Sequence, residues 1–196
     1  MPTTNCLLII DMQNELLHPE GKLYHGGFPS EFNALVPNVR GLLASARAKA
    51  VPVIFIYTAY HPSFVDASPQ SPSRKSGSLV EESWGVKVLD EIAPRQGEVV
   101  IRKRRPSAFF ETSLDSTLRG LGARSIFMCG VATNRAVEST ARDAFNRDYE
   151  TFVVADGSAA RDVAAHKTSL ESLGGFFGKV VSAAEAEKMW ESEGKR

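Results

Sequence analysis

Residues 125–144 read Ser125-Ile-Phe-Met-Cys129-Gly130-Val-Ala132-Thr-Asn134-Arg135-Ala136-Val-Glu-Ser-Thr-Ala-Arg-Asp-Ala144. The opening run is apolar after Ser125 and does not alternate, which is how a strand buried on both faces of a parallel sheet reads. Gly130 then permits a close turn. Beyond it Val137, Ala141, Ala144 and Phe145 fall at i, i+4, i+7 and i+8, one stripe of a helix, with Thr133 or Asn134 as its cap. Strand, tight turn, helix is one βα unit, and the same alternation extends outward from it. Comparable apolar runs lie at 6–10, 51–57, 98–101, 151–155 and 179–181. Helical patterns lie between them at 30–49, 113–121 and 161–174, with Pro37 early in the first and Gly122 stopping the second. Such alternation predicts an α/β fold in three layers, a parallel sheet with helices on both faces. In such sheets ligands bind outside the carboxyl ends of the strands, so polar residues there carry extra weight.

Composition narrows the function. The chain has 196 residues, and 23 Lys and Arg balance 23 Asp and Glu. This length suits a single domain over 1–196, and zero net charge argues against a nucleic-acid tail. No basic stretch precedes an apolar one at the N-terminus, and the longest apolar run is far too short to span a membrane. A cytoplasmic location without membrane or nucleic-acid partners is the expectation. Two cysteines, Cys6 and Cys129, cannot build a disulfide scaffold, and both sit in apolar runs as inert small hydrophobes do. The four histidines show no metal-ligand spacing, and neither GxGxxG nor GxxxxGK[ST] occurs, so no metal and no cofactor is expected. The long irregular stretch 61–84 holds seven Ser and three Pro and follows the second strand, where a loop of this length reads as a lid over a site.

Two charged residues end strands. Asp11 follows Leu-Leu-Ile-Ile directly, and Lys103 closes Glu98-Val-Val-Ile-Arg-Lys103. Asp11 reads either as a turn or capping residue or as a partly desolvated carboxylate in need of a cation. Lys103 reads either as that cation or as a solvated member of the run Arg102-Lys103-Arg104-Arg105. Alternate side chains of an extended segment point opposite ways, so that run does not form one basic face. The elbow at 130–136 suits an exposed nucleophile above free helix N–H groups. Yet the first-turn position holds Ala136, which has no reactive atom.

Three segments together resemble one family. They are Leu-Leu-Ile-Ile-Asp11-Met-Gln13-Asn, Val-Val-Ile-Arg-Lys103-Arg-Arg-Pro-Ser107-Ala-Phe109 and Gly130-Val-Ala-Thr-Asn-Arg-Ala136-Val-Glu-Ser-Thr-Ala-Arg-Asp-Ala. In order and spacing they are similar to the isochorismatase-like cysteine hydrolases, over residues 5 to about 185. Ser83-Trp84-Gly85 and Ala155-Asp156-Gly157 belong to the same resemblance. It implies a six-stranded parallel sheet in Rossmann-like order and an Asp–Lys–Cys triad hydrolysing amide, ureido or carbamoyl groups. Asp11 would be the general base and acid and Lys103 its charged partner. The Val131–Ala132 bond would be cis, and the amides of Ala132 and Ala136 would form an oxyanion hole. The resemblance also implies a homodimer or homotetramer and a small amide or ureido substrate. The region 57–62 lacks the Asp-x-His of the nicotinamidases, and the Thr-Asn turn and Ser-Trp-Gly segment look more like the ureidoacrylate and carbamoyl branch. Leu16, Tyr60, His61, Trp84, Arg105, Phe109, Asn134 and Arg135 are the candidate substrate-binding residues. Each has a plainer reading, core for the apolar ones and surface for the arginines, and Arg135 reads as a carboxylate partner or as an interface residue.

The family's cysteine falls on Ala136. Three explanations follow. The chain is an amidohydrolase whose nucleophile is replaced by Ala, the change that traps substrate; or a natural Cys-less member acting on a vinyl ether by acid catalysis; or a catalytically dead homologue that binds a ligand. The flanking motif is otherwise complete, as a single replacement would leave it, which favours the first.

Overall fold

The computed structural model describes residues 4–193, and side chains over 5–190. Six strands form one parallel sheet: β1 (Thr4–Ile10), β2 (Val53–Thr58), β3 (Val99–Lys103), β4 (Ala123–Val131), β5 (Glu150–Ala159) and β6 (Lys179–Val181). Their order is β3-β2-β1-β4-β5-β6, with every neighbouring pair parallel. This is the expected three-layer α/β sheet in Rossmann-like order, and the order in which strands are added reverses between β1 and β4.

Side-chain alternation along the strands divides the core. Cys6, Leu8 and Ile10 of β1 join Ile54, Ile56, Ile101, Ile126 and Met128 on one face. Helices α4 (Leu114–Gly120) and α5 (Glu138–Phe145) cover that face through Leu114, Leu118, Ala141 and Ala144, and α6 (Val163–Ser172) adds Leu170. Leu7 and Ile9 join Phe55, Phe127, Cys129, Phe152 and Val154 on the other face. There α2 (Leu35–Ala48) and α7 (Ala183–Glu193) pack through Leu35, Val39, Leu42, Leu43, Ala46, Ala186 and Trp190. Phe127 stacks on Phe152 at 4.4 Å and meets the Trp190 ring edge-on at 5.3 Å. No helix of the described residues is long and apolar enough to cross a membrane.

Local structure departs from the sequence reading mostly at boundaries. The 30–49 pattern splits into a 3-10 turn at Ser30–Phe32 and α2, and Pro37 sits in the first turn of α2, where its missing N–H is harmless. The 134–147 pattern begins as a π-helical turn at Thr133–Val137 before becoming α5. The 113–121 helix stops before Gly122, whose φ is +68°. Within 61–84 a short helix α3 (Pro72–Ser76) forms, and Tyr60 pairs with Val80 as an isolated bridge that pins the segment to the end of β2. A one-turn helix α1 (Asn14–Leu17) follows β1.

Gly130 is the tightest point of the switch. Its φ is +118°, and a Cβ there would lie 2.0 Å from the Ile10 carbonyl oxygen in β1. Neither the backbone conformation nor the space admits a side chain. Gly130→Ala is expected to cost ~3 kcal/mol or more, combining an incompatible φ with overpacking against backbone. A lowered midpoint in urea unfolding at unchanged slope is the check; a midpoint equal to that of the unsubstituted chain would contradict it.

Candidate active site

The carboxyl ends of β1, β2 and β3 each deliver one polar group. Asp11 follows β1 with φ +53°, while its amide still donates to the Ile56 carbonyl at 2.8 Å. Thr58 ends β2 in register with Lys103, which ends β3. All three are buried. Lys103 Nζ lies 2.7 Å from Asp11 Oδ2 and donates to Thr58 Oγ1 at 2.8 Å, and Thr58 Oγ1 donates to Asp11 Oδ1 at 3.0 Å. Lys103 Nζ also reaches the Arg105 carbonyl at 3.3 Å. Charge-assisted bonds of this kind are shorter and stronger than neutral ones and offset the desolvation of both ions.

Gln13, fully buried, fixes this triangle from behind. Its amide nitrogen donates to the carbonyls of Thr58 and Val86, both at 2.9 Å, and its oxygen accepts from the Thr58 amide at 2.9 Å. One side chain therefore ties the end of β2 to the segment that closes the site.

The elbow stands on the other side of Asp11, because Gly130 is in register with Ile10. The Val131–Ala132 peptide is cis. The amides of Arg135 and Val137 both donate to the Ala132 carbonyl, at 3.0 and 3.3 Å, which makes the π turn and brackets Ala136. Such turns concentrate at functional sites. Helix α6 grips the elbow: Thr133 Oγ1 is 2.8 Å from His166 Nδ1, and Ser169 Oγ reaches Glu138 Oε2 at 2.6 Å. Burial lowers the His166 pKa, with Lys167 adding to the effect, which favours the neutral ring.

These parts enclose a cavity of about 280 Å³. Asp11, Thr58, Lys103, Ala132 and Ala136 line it. Of the anticipated substrate-binding residues, Leu16, Tyr60, Arg105, Asn134 and Arg135 are on its wall. Burial raises the Tyr60 phenol pKa, partly opposed by its hydrogen bond to Ser71, another wall residue. Ser71, Pro72, Ser73 and Leu79 bring the 61–84 segment to the cavity.

Three anticipated residues stand elsewhere, each for a visible reason. Trp84 is 43% exposed and meets His18 edge-on at 4.9 Å, while its carbonyl accepts from Asn14 Nδ2 at 3.1 Å. The neighbour that matters there is Gly85, where a Cβ would strike the buried Glu15 carboxylate. His61 is exposed, with Nδ1 2.8 Å from Ser63 Oγ. Phe109 is buried in the core against Tyr149 at 6.0 Å, with the Arg147 guanidinium 4.8 Å over its ring.

Sequence reasoning missed Thr58 and the wall residues Leu23, Phe28 and Arg161. Thr58 carried a signal, since it ends its strand as Asp11 and Lys103 end theirs. Neither cysteine reaches the site. Cys129 Sγ points to the Leu8 carbonyl at 3.6 Å, and burial pushes the Cys6 thiol up to about 12 and the Cys129 thiol higher still. Among the described residues no group of three or more His, Cys, Asp or Glu side chains converges as a metal-binding set.

The basic run is divided as extended geometry requires. Lys103 turns inward, whereas Arg102 pairs with Glu81 and with Asp66 at 3.2 Å. Arg105 donates to the Asp66 carbonyl at 2.8 Å. The arginines thus fasten the 61–84 segment over the site.

Comparison with known proteins bears on the family and the fold. Residues 5–185 match the family described as Isochorismatase domain. The ureidoacrylate amidohydrolase RutB of Methylobacterium radiotolerans is 34% identical over 201 residues, covering 93% of this chain and 78% of that protein. The crystal structure of a cysteine hydrolase from Pseudomonas syringae pv. phaseolicola superposes with a TM-score of 0.90 at 28% identity, covering 98% of this chain and 95% of that one. N-carbamoylsarcosine amidase from Thermoplasma acidophilum gives a TM-score of 0.76 at 27% identity, covering 92% and 97%.

The ion pair can be tested without substrate. Lys103→Met leaves the buried Asp11 carboxylate unpaired and is expected to cost roughly 3–5 kcal/mol at neutral pH. The double change Asp11→Leu with Lys103→Met should recover most of that loss, because no charge remains buried. Urea unfolding of the four members of the cycle reads the coupling; simple additivity would mean that the pair does not interact.

Proposed function

The chain belongs to the isochorismatase family, and from that membership and the cavity's chemistry we propose that its site is built to hydrolyse a C–N bond of a small amide, ureido or carbamoyl compound. The proposed machinery is an Asp–Lys–Cys arrangement in which Ala136 occupies the nucleophile's place. The observation that carries this reading is the buried Asp11–Lys103 pair, at 2.7 Å, on the wall of the same cavity as Ala136.

With a thiol at 136, the chemistry is covalent catalysis. Asp11 takes the thiol proton, and the thiolate attacks the carbonyl carbon. The amides of Ala132 and Ala136 receive the oxyanion. Collapse of the tetrahedral intermediate breaks the C–N bond, and the proton on Asp11 leaves with ammonia or amine. Water, deprotonated by Asp11, then hydrolyses the thioester to the acid and restores the thiol. Lys103 stays charged throughout and holds the Asp11 carboxylate. Thr58 and Gln13 keep both groups in place. The 61–84 segment, fastened by Arg102 and Arg105, serves as the lid.

In this chain Ala136 supplies no nucleophile, and the two buried cysteines face away from the cavity. The chain therefore binds substrate and does not turn it over by this route. Arg135 is exposed at the mouth of the cavity, and among the described residues its guanidinium makes no ion pair or hydrogen bond. A carboxylate at the far end of a ureido substrate fits it, with two parallel N–H···O bonds.

Ala136→Cys is expected to release ammonia from 3-ureidopropionate and related amides in a steady-state assay, while the unsubstituted chain only binds them. Silence of the Cys form across such a panel would count against the hydrolase reading. Hydrolysis of an isochorismate-type vinyl ether by the unsubstituted chain would replace it with acid catalysis by Asp11. Arg135→Ala should weaken binding of the ureido acid about 10- to 100-fold, the worth of a lost charge-assisted bond, and leave a neutral urea unaffected. Equal affinities for the acid before and after the change would remove that role.

A further inference from the structure

The cavity has one wall with no regular secondary structure. Residues 18–29 cross its mouth as turns, and Leu23 and Phe28 face into it. Three consecutive residues there hold positive φ: His25 at +47°, Gly26 at +80° and Gly27 at +86°. This curl turns several backbone carbonyls toward one point. Arg161, two residues past the end of β5, occupies that point.

The Arg161 guanidinium donates through Nη1 to the Tyr24 carbonyl at 2.7 Å and the Gly27 carbonyl at 2.8 Å, and through Nη2 to the Leu23 carbonyl. It also lies over the Phe28 ring, 4.9 Å from the centroid. Among the described residues it forms no ion pair; carbonyl dipoles and one aromatic face meet its charge, against burial and the like charge of Arg135 on the same cavity wall, which lower its pKa. A planar fork with fixed donors can serve several carbonyls at once, which a single ammonium cannot. One further side chain tethers the segment, as Lys22 Nζ donates to the Gly77 carbonyl at 2.7 Å and so joins it to the lid.

We infer that Arg161 is a positioning residue that sets the size selectivity of the cavity by clasping 23–28 so that Leu23 and Phe28 form a fixed apolar wall. The inference rests on the proposed amide-binding role of the cavity for its selectivity arm alone. Asp162, the next residue, accepts from the Ala165 amide at 2.8 Å and caps α6, which anchors the clasp at its base. A substrate long enough to reach the wall gains from a surface already ordered; a short one does not touch it.

The test compares Arg161→Ala and Arg161→Lys with the unsubstituted chain. Hydrogen–deuterium exchange needs no ligand and should quicken in 21–28 in both variants, with the strands of the sheet unchanged. Two neutral probes, acetamide and hexanamide, then separate size from charge. Hexanamide should lose about tenfold in affinity if the ordered wall falls to roughly a tenth of the population, whereas acetamide should change less than about twofold. In the Ala136→Cys background the same loss should appear in KM for hexanamide with kcat retained. Unchanged exchange in 21–28 overturns the clasp. Equal losses for both amides overturn its role in selectivity, as does a Lys variant that keeps full hexanamide affinity, since charge alone would then suffice. Quickened exchange in 21–28 together with an inactive Cys form would leave the clasp standing and remove the hydrolase reading.

Discussion

Two opposite charges buried side by side constrain everything around them. Removing an ion from water costs several kcal/mol even after relaxation, and attraction offsets this only where geometry is close and remaining bonds are filled. Asp11 and Lys103 meet that condition because three adjacent strands end at one level and Thr58 stands between them as donor and acceptor. The requirement spreads outward. Thr58 must not move, so Gln13 holds its backbone on both sides. Gln13 is itself fully buried, so its last donor must be used, and it is, on Val86 at the edge of the covering segment. A polar network this deep is favourable only when every member is satisfied.

The same economy explains the basic run. A Lys that points inward leaves its neighbours pointing outward, and outward arginines beside a cavity attract the chain's own carboxylates. Asp66 and Glu81 supply them, and both belong to the long loop. What looks like a positive patch in the sequence is therefore a fastening, neutralised within the molecule.

Much of this was legible in the amino-acid order. Apolar runs without alternation identified the buried parallel strands, and residues that close such runs identified Asp11 and Lys103. Gly130 marked the turn, because a φ of +118° with no room for a Cβ suits glycine alone. The limits were also physical. Thr58 is a neutral residue in an apolar run, and only the register of β2 against β3 makes it a bridge. Arg161 acts on carbonyls more than 130 residues away, and backbone acceptors carry no sequence signature. Trp84 and Phe109 illustrate the converse. Aromatic residues near a site are large enough to serve equally as its wall, as core or as a surface contact, and composition does not distinguish these.

The elbow holds its form without any contribution from the side chain of residue 136. Its shape is set by Gly130 against β1, by His166 on Thr133, and by Thr140, whose hydroxyl donates to the Ala136 carbonyl at 2.7 Å and accepts from the Ala108 amide at 3.0 Å. Every one of these contacts uses backbone atoms of the turn or side chains other than that of residue 136. Ala136 itself lines the cavity and is also buried against the core face that holds Val137 and Ala141. The turn and the charged pair are therefore built from atoms other than the side chain of residue 136.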